Sequence, residues 1–119
     1  MNLKELATRI GIKESELKEL IDLFFETSYS DLEHLQSALE RGAFLEVSRV
    51  AHSIKGAALS LGMSEIADLA KTIEFEAREK RLEGIPSSLI PLGEALREMD
   101  KRLNRIPKAA VSEEQRASG

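Results

Sequence analysis

The stretch Phe44-Leu-Glu-Val-Ser-Arg-Val-Ala-His-Ser-Ile-Lys-Gly-Ala-Ala-Leu-Ser-Leu-Gly62 decides the architecture, because its apolar residues recur with the period of a helix. With Val47 set at zero and roughly 100° per residue, Val50, Ala51, Ile54, Ala57, Ala58 and Leu61 all fall within roughly 80° of it. That stripe is a core face and needs other helices to cover it. His52 falls roughly 140° from Val47 and Gly56 about 180°, so both face away from the core, with Lys55 near 80° at the edge of the same face. Glycine costs roughly 1 kcal/mol against alanine inside a helix. A glycine beside a histidine and a lysine therefore suggests that something approaches that face closely.

Working outward, nearly every segment has the same period. Asn2 with Glu5 reads as a capping box that opens a short helix carrying Leu3, Leu6, Ala7 and Ile10, stopped by Gly11. From Lys13 the apolar positions Leu17, Leu20, Ile21, Phe24 and Phe25 run on into Leu32, Leu35 and Leu39, ending at Arg41-Gly42. This predicts one long helix or two in tandem, with Thr27-Ser28-Tyr29-Ser30 as the place for a bend. The next helix is predicted from about Phe44 to Leu61. Ser64 is predicted to cap a further one bearing Ile66, Leu69, Ala70, Ile73 and Ala77 and ending at Gly84. Pro86 and Pro91 confine the start of the last helix to Ser87–Pro91, since proline belongs in a first turn. Its core positions are Leu92, Ala95, Leu96, Met99 and Leu103, and Pro107 ends it. No strand pattern or internal repeat is present. The expected fold is all-α: an antiparallel four-helix bundle with a short additional N-terminal helix over residues 1–106, then a polar tail over 107–119.

The 119 residues suit one core, and 42% hydrophobic with 32% charged residues describes an ordinary globular composition. The absence of cysteine excludes disulfide and thiol chemistry. A formal net charge of −4 argues against nucleic acid as a partner. No apolar run approaches the roughly 18 residues that would span a membrane, and the N-terminus lacks the apolar core of a signal peptide. A cytoplasmic protein is expected.

Imidazole is a nucleophile at neutral pH, because one ring nitrogen is free to attack while the other carries the proton. Phosphorylated imidazole holds its phosphoryl group in a high-energy bond and can pass it on without ATP. Lys55 at i+3 can neutralise phosphate charge, and Gly56 removes a side chain that would obstruct an in-line partner. Leu45, Leu59 and Met63 fall in the same helical sector as His52. They predict an apolar docking stripe with Arg49 and Lys55 at its polar rim.

The run His52-Ser-Ile-Lys55-Gly56-Ala-Ala-Leu-Ser-Leu61-Gly62 resembles the signature of histidine-containing phosphotransfer (HPt) domains. That signature is a histidine, a lysine–glycine pair beginning three residues on, and a hydrophobic–glycine pair after four more. The similarity extends over about residues 13–105, through Phe24-Phe25-Glu26, Val50-Ala51, Ile73-Glu74 and Ala77-Arg78. The resemblance implies a four-helix bundle whose exposed His52 is phosphorylated, at Nε2, and shuttles phosphoryl groups between aspartates of receiver domains in a multistep phosphorelay. The implied partners are receiver domains of response regulators or hybrid histidine kinases, with Mg²⁺ held by the receiver and no cofactor or metal in this chain. Leu59 stands where the family pattern leads one to expect a small residue.

Other readings compete. His34 lies between the core positions Leu32 and Leu35 and reads as a boundary or surface residue. No helix carries His-x-x-x-His or Glu-x-x-His spacing for a metal. Glu74, Glu76, Arg78, Glu79, Lys80 and Arg81 read as a solvated face with i,i+4 pairs. A non-catalytic helical adaptor would leave His52, Lys55 and Gly56 unexplained as a set. The phosphoacceptor domain of a larger chemotaxis-type or hybrid kinase stays open, although Met1 directly before a capped helix favours a stand-alone protein. With no P-loop and no glycine-rich ATP motif, no ATP-dependent kinase activity is expected. The chain is expected to be a monomer.

Overall fold

In a computed structural model, which describes residues 2–103, the chain folds into five α-helices. They are α1 (Leu3–Ile10), α2 (Glu14–Glu40), α3 (Phe44–Ser60), α4 (Ser64–Arg78) and α5 (Ile85–Arg102), with a 3₁₀ turn at Leu82–Gly84 before the last. The predicted tail over 107–119 lies outside the described residues. Helices α2 to α5 form a ring of neighbours, α2 against α3, α3 against α4, α4 against α5 and α5 back against α2, while α1 packs on α2. Phe25, Leu35, Val47, Ile54, Ile73, Leu92 and Leu96 fill the centre. None of the described helices is long and apolar enough to cross a membrane.

The connections follow one local rule. At the end of α3 the Met63 N–H bonds to Ala58 O at 2.8 Å and the Gly62 N–H to Leu59 O at 3.1 Å. Gly62 takes φ 71°, the left-handed conformation a Schellman turn requires. The α2–α3 turn repeats the pattern, Ala43 N–H to Ala38 O at 2.9 Å and Gly42 N–H to Leu39 O at 3.1 Å. Such turns reverse the chain within a few residues and make consecutive helices antiparallel. The short α1 starts as expected, with the Asn2 side chain accepting from the Glu5 N–H at 2.8 Å.

One open alternative is decided, for a single long helix, and three expectations need correction. Helix α2 is unbroken through Thr27–Ser30, because Ser28 is buried and the Tyr29 hydroxyl donates to Asp100 Oδ2 on α5 at 2.7 Å. Tertiary packing overrides the weak local propensity there. Ser64 is the first helical residue of α4, not its cap; Met63 precedes it and makes no side-chain cap bond. Helix α4 ends at Arg78, where Lys80 and Arg81 make the third Schellman turn, to Ala77 O at 3.0 Å and Glu76 O at 2.9 Å. Helix α5 starts at Ile85, so Pro86 lies in its first turn but Pro91 is interior. Pro91 leaves the Ser87 carbonyl without its helical donor, and both residues are exposed, so water can take that place.

Lys80 holds the left-handed position at φ 59° without being glycine, which costs roughly 1–2 kcal/mol. Its ammonium lies 5.1 Å from the centre of the Phe44 ring, an exposed contact worth about 0.5–1 kcal/mol. Lys80→Gly should therefore stabilise the domain by about 0.5–1 kcal/mol, read as a raised melting temperature. A lowered one would mean that the ring contact outweighs the backbone strain.

Candidate functional site

Helix α3 carries His52 outward, as the helical phase requires, and α4 supplies what lies behind it. The His52 side chain is 61% exposed; that of Glu74, on the facing helix, is 4% exposed. His52 Nδ1 lies 2.7 Å from Glu74 Oε2. Lys55 Nζ donates to Glu74 Oε1 at 2.7 Å, and Arg78 Nη2 donates to Oε2 at 3.0 Å. One buried carboxylate thus gathers an imidazole, an ammonium and a guanidinium.

The charge state of Glu74 follows from its neighbours. Burial pushes its carboxyl up, but the hydrogen bonds from Lys55 and His52 and the charges of Lys55 and Arg78 outweigh that, so it titrates below its usual range. At neutral pH it is a carboxylate, which only accepts hydrogen bonds. The ring proton facing it therefore sits on Nδ1, and the lone pair of a neutral imidazole is left on Nε2, on the open side. This is the geometry of an oriented nucleophile.

Glu74 was legible only as part of a charge run, and the solvated-face reading fails for it. Its phase was the available signal: it lies about 40° from Ala70 around the helix, inside the stripe of Ile66, Ala70, Ile73 and Ala77. A carboxylate in a core stripe needs partners. Lys55 is likewise less free than its place at the edge of the face suggested. It is half-buried and bent towards α4 by the ion pair.

Gly56, one turn beyond His52, sits in open space: an added Cβ would meet nothing within 4 Å. Nothing among the described residues asks for glycine there. Leu45, Arg49 and Leu59 are exposed along the same helix. Met63 is not; it is 1% exposed and belongs to the core. The phase argument carried α3 three residues too far. The helix ends at Ser60, and the turn at Gly62 swings Met63 inward, close to where Leu6 of α1 covers that turn.

The apolar surface beside His52 continues elsewhere. Leu20, one of the apolar positions of the α2 pattern, and Leu23, 60% exposed, form the rim of a groove of about 470 Å³ between α2 and α3. The run Leu20-Ile-Asp-Leu-Phe-Phe25 is wider than one helical stripe can bury, and that excess was the sequence's hint. A larger depression of about 710 Å³, with Phe75 and Arg81 in its lining, lies on another face of α4 and includes none of the residues around His52. His34 is exposed, 3.9 Å from Asp31 Oδ1 and remote from His52 in sequence and helix. No cluster of three metal-ligating side chains occurs among the described residues.

Comparison with known proteins identifies a family and a fold. Residues 19–109 match the family model of the Hpt domain. The fold is similar to the crystal structure of histidine-containing phosphotransfer protein B (HptB) from Pseudomonas aeruginosa PAO1, with a TM-score of 0.71 and 28% sequence identity over 76% of this chain and 79% of that one. No curated protein matches the chain.

Proposed function

The chain belongs to the Hpt domain family of histidine phosphotransfer proteins, and from that premise we propose that it relays phosphoryl groups between receiver-domain aspartates through Nε2 of His52. The observation that carries this reading is the exposed imidazole whose Nδ1 is held by the buried Glu74 carboxylate.

In the step proposed, Nε2 attacks the phosphorus of a phosphoaspartate. The N–P bond forms as the P–O bond breaks, and the electron pair leaves with the aspartate carboxylate. Nδ1 keeps its proton, so the ring becomes an imidazolium and its new positive charge develops against Glu74. In the reverse step the ring departs as neutral imidazole, and no proton has to be supplied. The partner's Mg²⁺ supplies charge stabilisation for the transferring group. Lys55 and Arg78 share the Glu74 carboxylate with the ring, and in this proposal their positive charge steadies the phosphoryl oxygens.

The test is incubation with receiver domains phosphorylated by labelled acetyl phosphate. Label should move to this chain and be acid-labile and alkali-stable. Failure of every receiver to transfer, or acid-stable label, would overturn the reading.

Two variants probe the approach surface. Gly56→Ala should stabilise the free domain by up to about 1 kcal/mol while slowing transfer, and Gly56→Leu should slow it further. Unchanged transfer in both would remove the clearance argument. Leu59→Asp should raise the KM for a phospho-receiver with little change in melting temperature, since the side chain is exposed. Normal KM in the folded variant would place docking elsewhere.

A further inference from the structure

We propose that Asp31 determines partner choice: it selects a receiver whose docking helix places a lysine or arginine on an otherwise apolar face. The inference rests on the phosphorelay reading and goes beyond it to what the groove beside His52 accepts.

The groove between α2 and α3 has unlike walls. On α2 stand the exposed Leu20 and Leu23; on α3 stand Ser53, Ala57 and Ser60, all small. A helix of the partner can lie close against the small wall while its apolar side chains meet the leucines. Ser53 is the residue after His52, so the groove is continuous with the phosphotransfer face. Helices α2 and α3 run antiparallel from the turn at Gly42. Counting equal numbers of residues back from that turn puts Asp31 at about the level of Ser53. The leucines lie towards Leu61 and α1.

Asp31 is the only charged group in that lining among the described residues. Its side chain is 17% exposed, and its nearest cationic group, the exposed His34 imidazole, is 3.9 Å away. Burial raises its carboxyl above the usual range, which the charge of His34 only partly offsets. The carboxylate thus depends on the water it still keeps. A helix seated in the groove would remove that water. An apolar or acidic helix would leave a buried, unpaired charge, whereas a helix with a cation at that point would form a desolvated ion pair. The leucines supply attraction for many partners; the carboxylate penalises the wrong ones.

The test uses the full chain and a purified receiver domain, phosphorylated with acetyl phosphate, that transfers to it. The kcat and KM of transfer are measured at low and high salt for the wild type, Asp31→Asn, Asp31→Glu and Asp31→Lys, with thermal unfolding of each. Asp31→Lys should raise KM at least about tenfold with kcat little changed. Asp31→Asn should raise it less and flatten its salt dependence, and Asp31→Glu should retain most of the wild-type behaviour. Should the lysine variant fail to fold, the asparagine variant decides alone. Transfer from the receiver with KM and salt dependence unaltered in the folded variants would overturn the role of Asp31 and leave the relay standing. No transfer to the wild type from any receiver would overturn both.

Discussion

His52→Gln should abolish labelling by phospho-receivers altogether, while His34→Gln leaves it intact. The contrast is expected because the two histidines differ in everything but residue type. His52 has Nδ1 tied to a carboxylate and its ring facing outward across an open Gly56. His34 has only a 3.9 Å approach to Asp31. Glutamine at 52 preserves size and polarity and supplies no nucleophilic nitrogen, so helix α3 should stay folded. The measurement is label retained after alkaline gel separation, alongside circular dichroism. Label persisting in His52→Gln would remove the assignment outright.

The second large effect should come from Glu74, which touches no phosphate in the proposed step and acts through the ring. Glu74→Ala frees the imidazole to rotate and lets its proton move to Nε2, where it blocks the lone pair. Transfer should fall by at least about ten- to a hundredfold, the cost of losing the carboxylate behind a metal-bound histidine. Glu74→Gln should lie between, since an amide oxygen still accepts the Nδ1 proton without charge. A ring ¹⁵N spectrum would show the Nδ1-protonated tautomer in the wild type and a mixture in Glu74→Ala; identical spectra would mean that Glu74 does not set the tautomer.

Stability should follow the same group. The folded-state carboxyl titrates below its usual value of 4.5, so its stabilising contribution is complete above that value. It is lost as the pH falls from there through the lower folded-state value. The acid-unfolding step should therefore be smaller in Glu74→Gln, and an unchanged acid limb would argue against a paired carboxylate.

What could be read in the chain, and what could not, divides along a physical line. Helices, their faces and the outward direction of His52 follow from periodicity, which is a property of each segment alone. Glu74 could not be read in that way. Its role depends on α4 lying against α3 so that a carboxylate in one stripe meets an imidazole and an ammonium on the other helix. Met63 shows the reverse error, a period extended past the turn that ends it. Leu20 and Leu23 show a third: α2 carries more apolar width than its neighbours cover, and only the packed bundle reveals which leucines are left over. Pro91 was misread for a simpler reason, since an exposed helix face lets water replace a missing donor.

The three Schellman turns have a consequence for the order of folding. His52 and Glu74 are 22 residues apart, within the single hairpin of α3 and α4. The Tyr29–Asp100 hydrogen bond, by contrast, ties residues 71 apart. Contacts close in sequence cost less loop-closure entropy and form sooner. The His52–Glu74 contact therefore belongs to one local hairpin, and the long-range bond between α2 and α5 is expected to close after it. A transient opening that lifts α5 from α2 would leave the imidazole and its carboxylate together. The chemistry is in this sense insulated from the breathing of the rest of the fold.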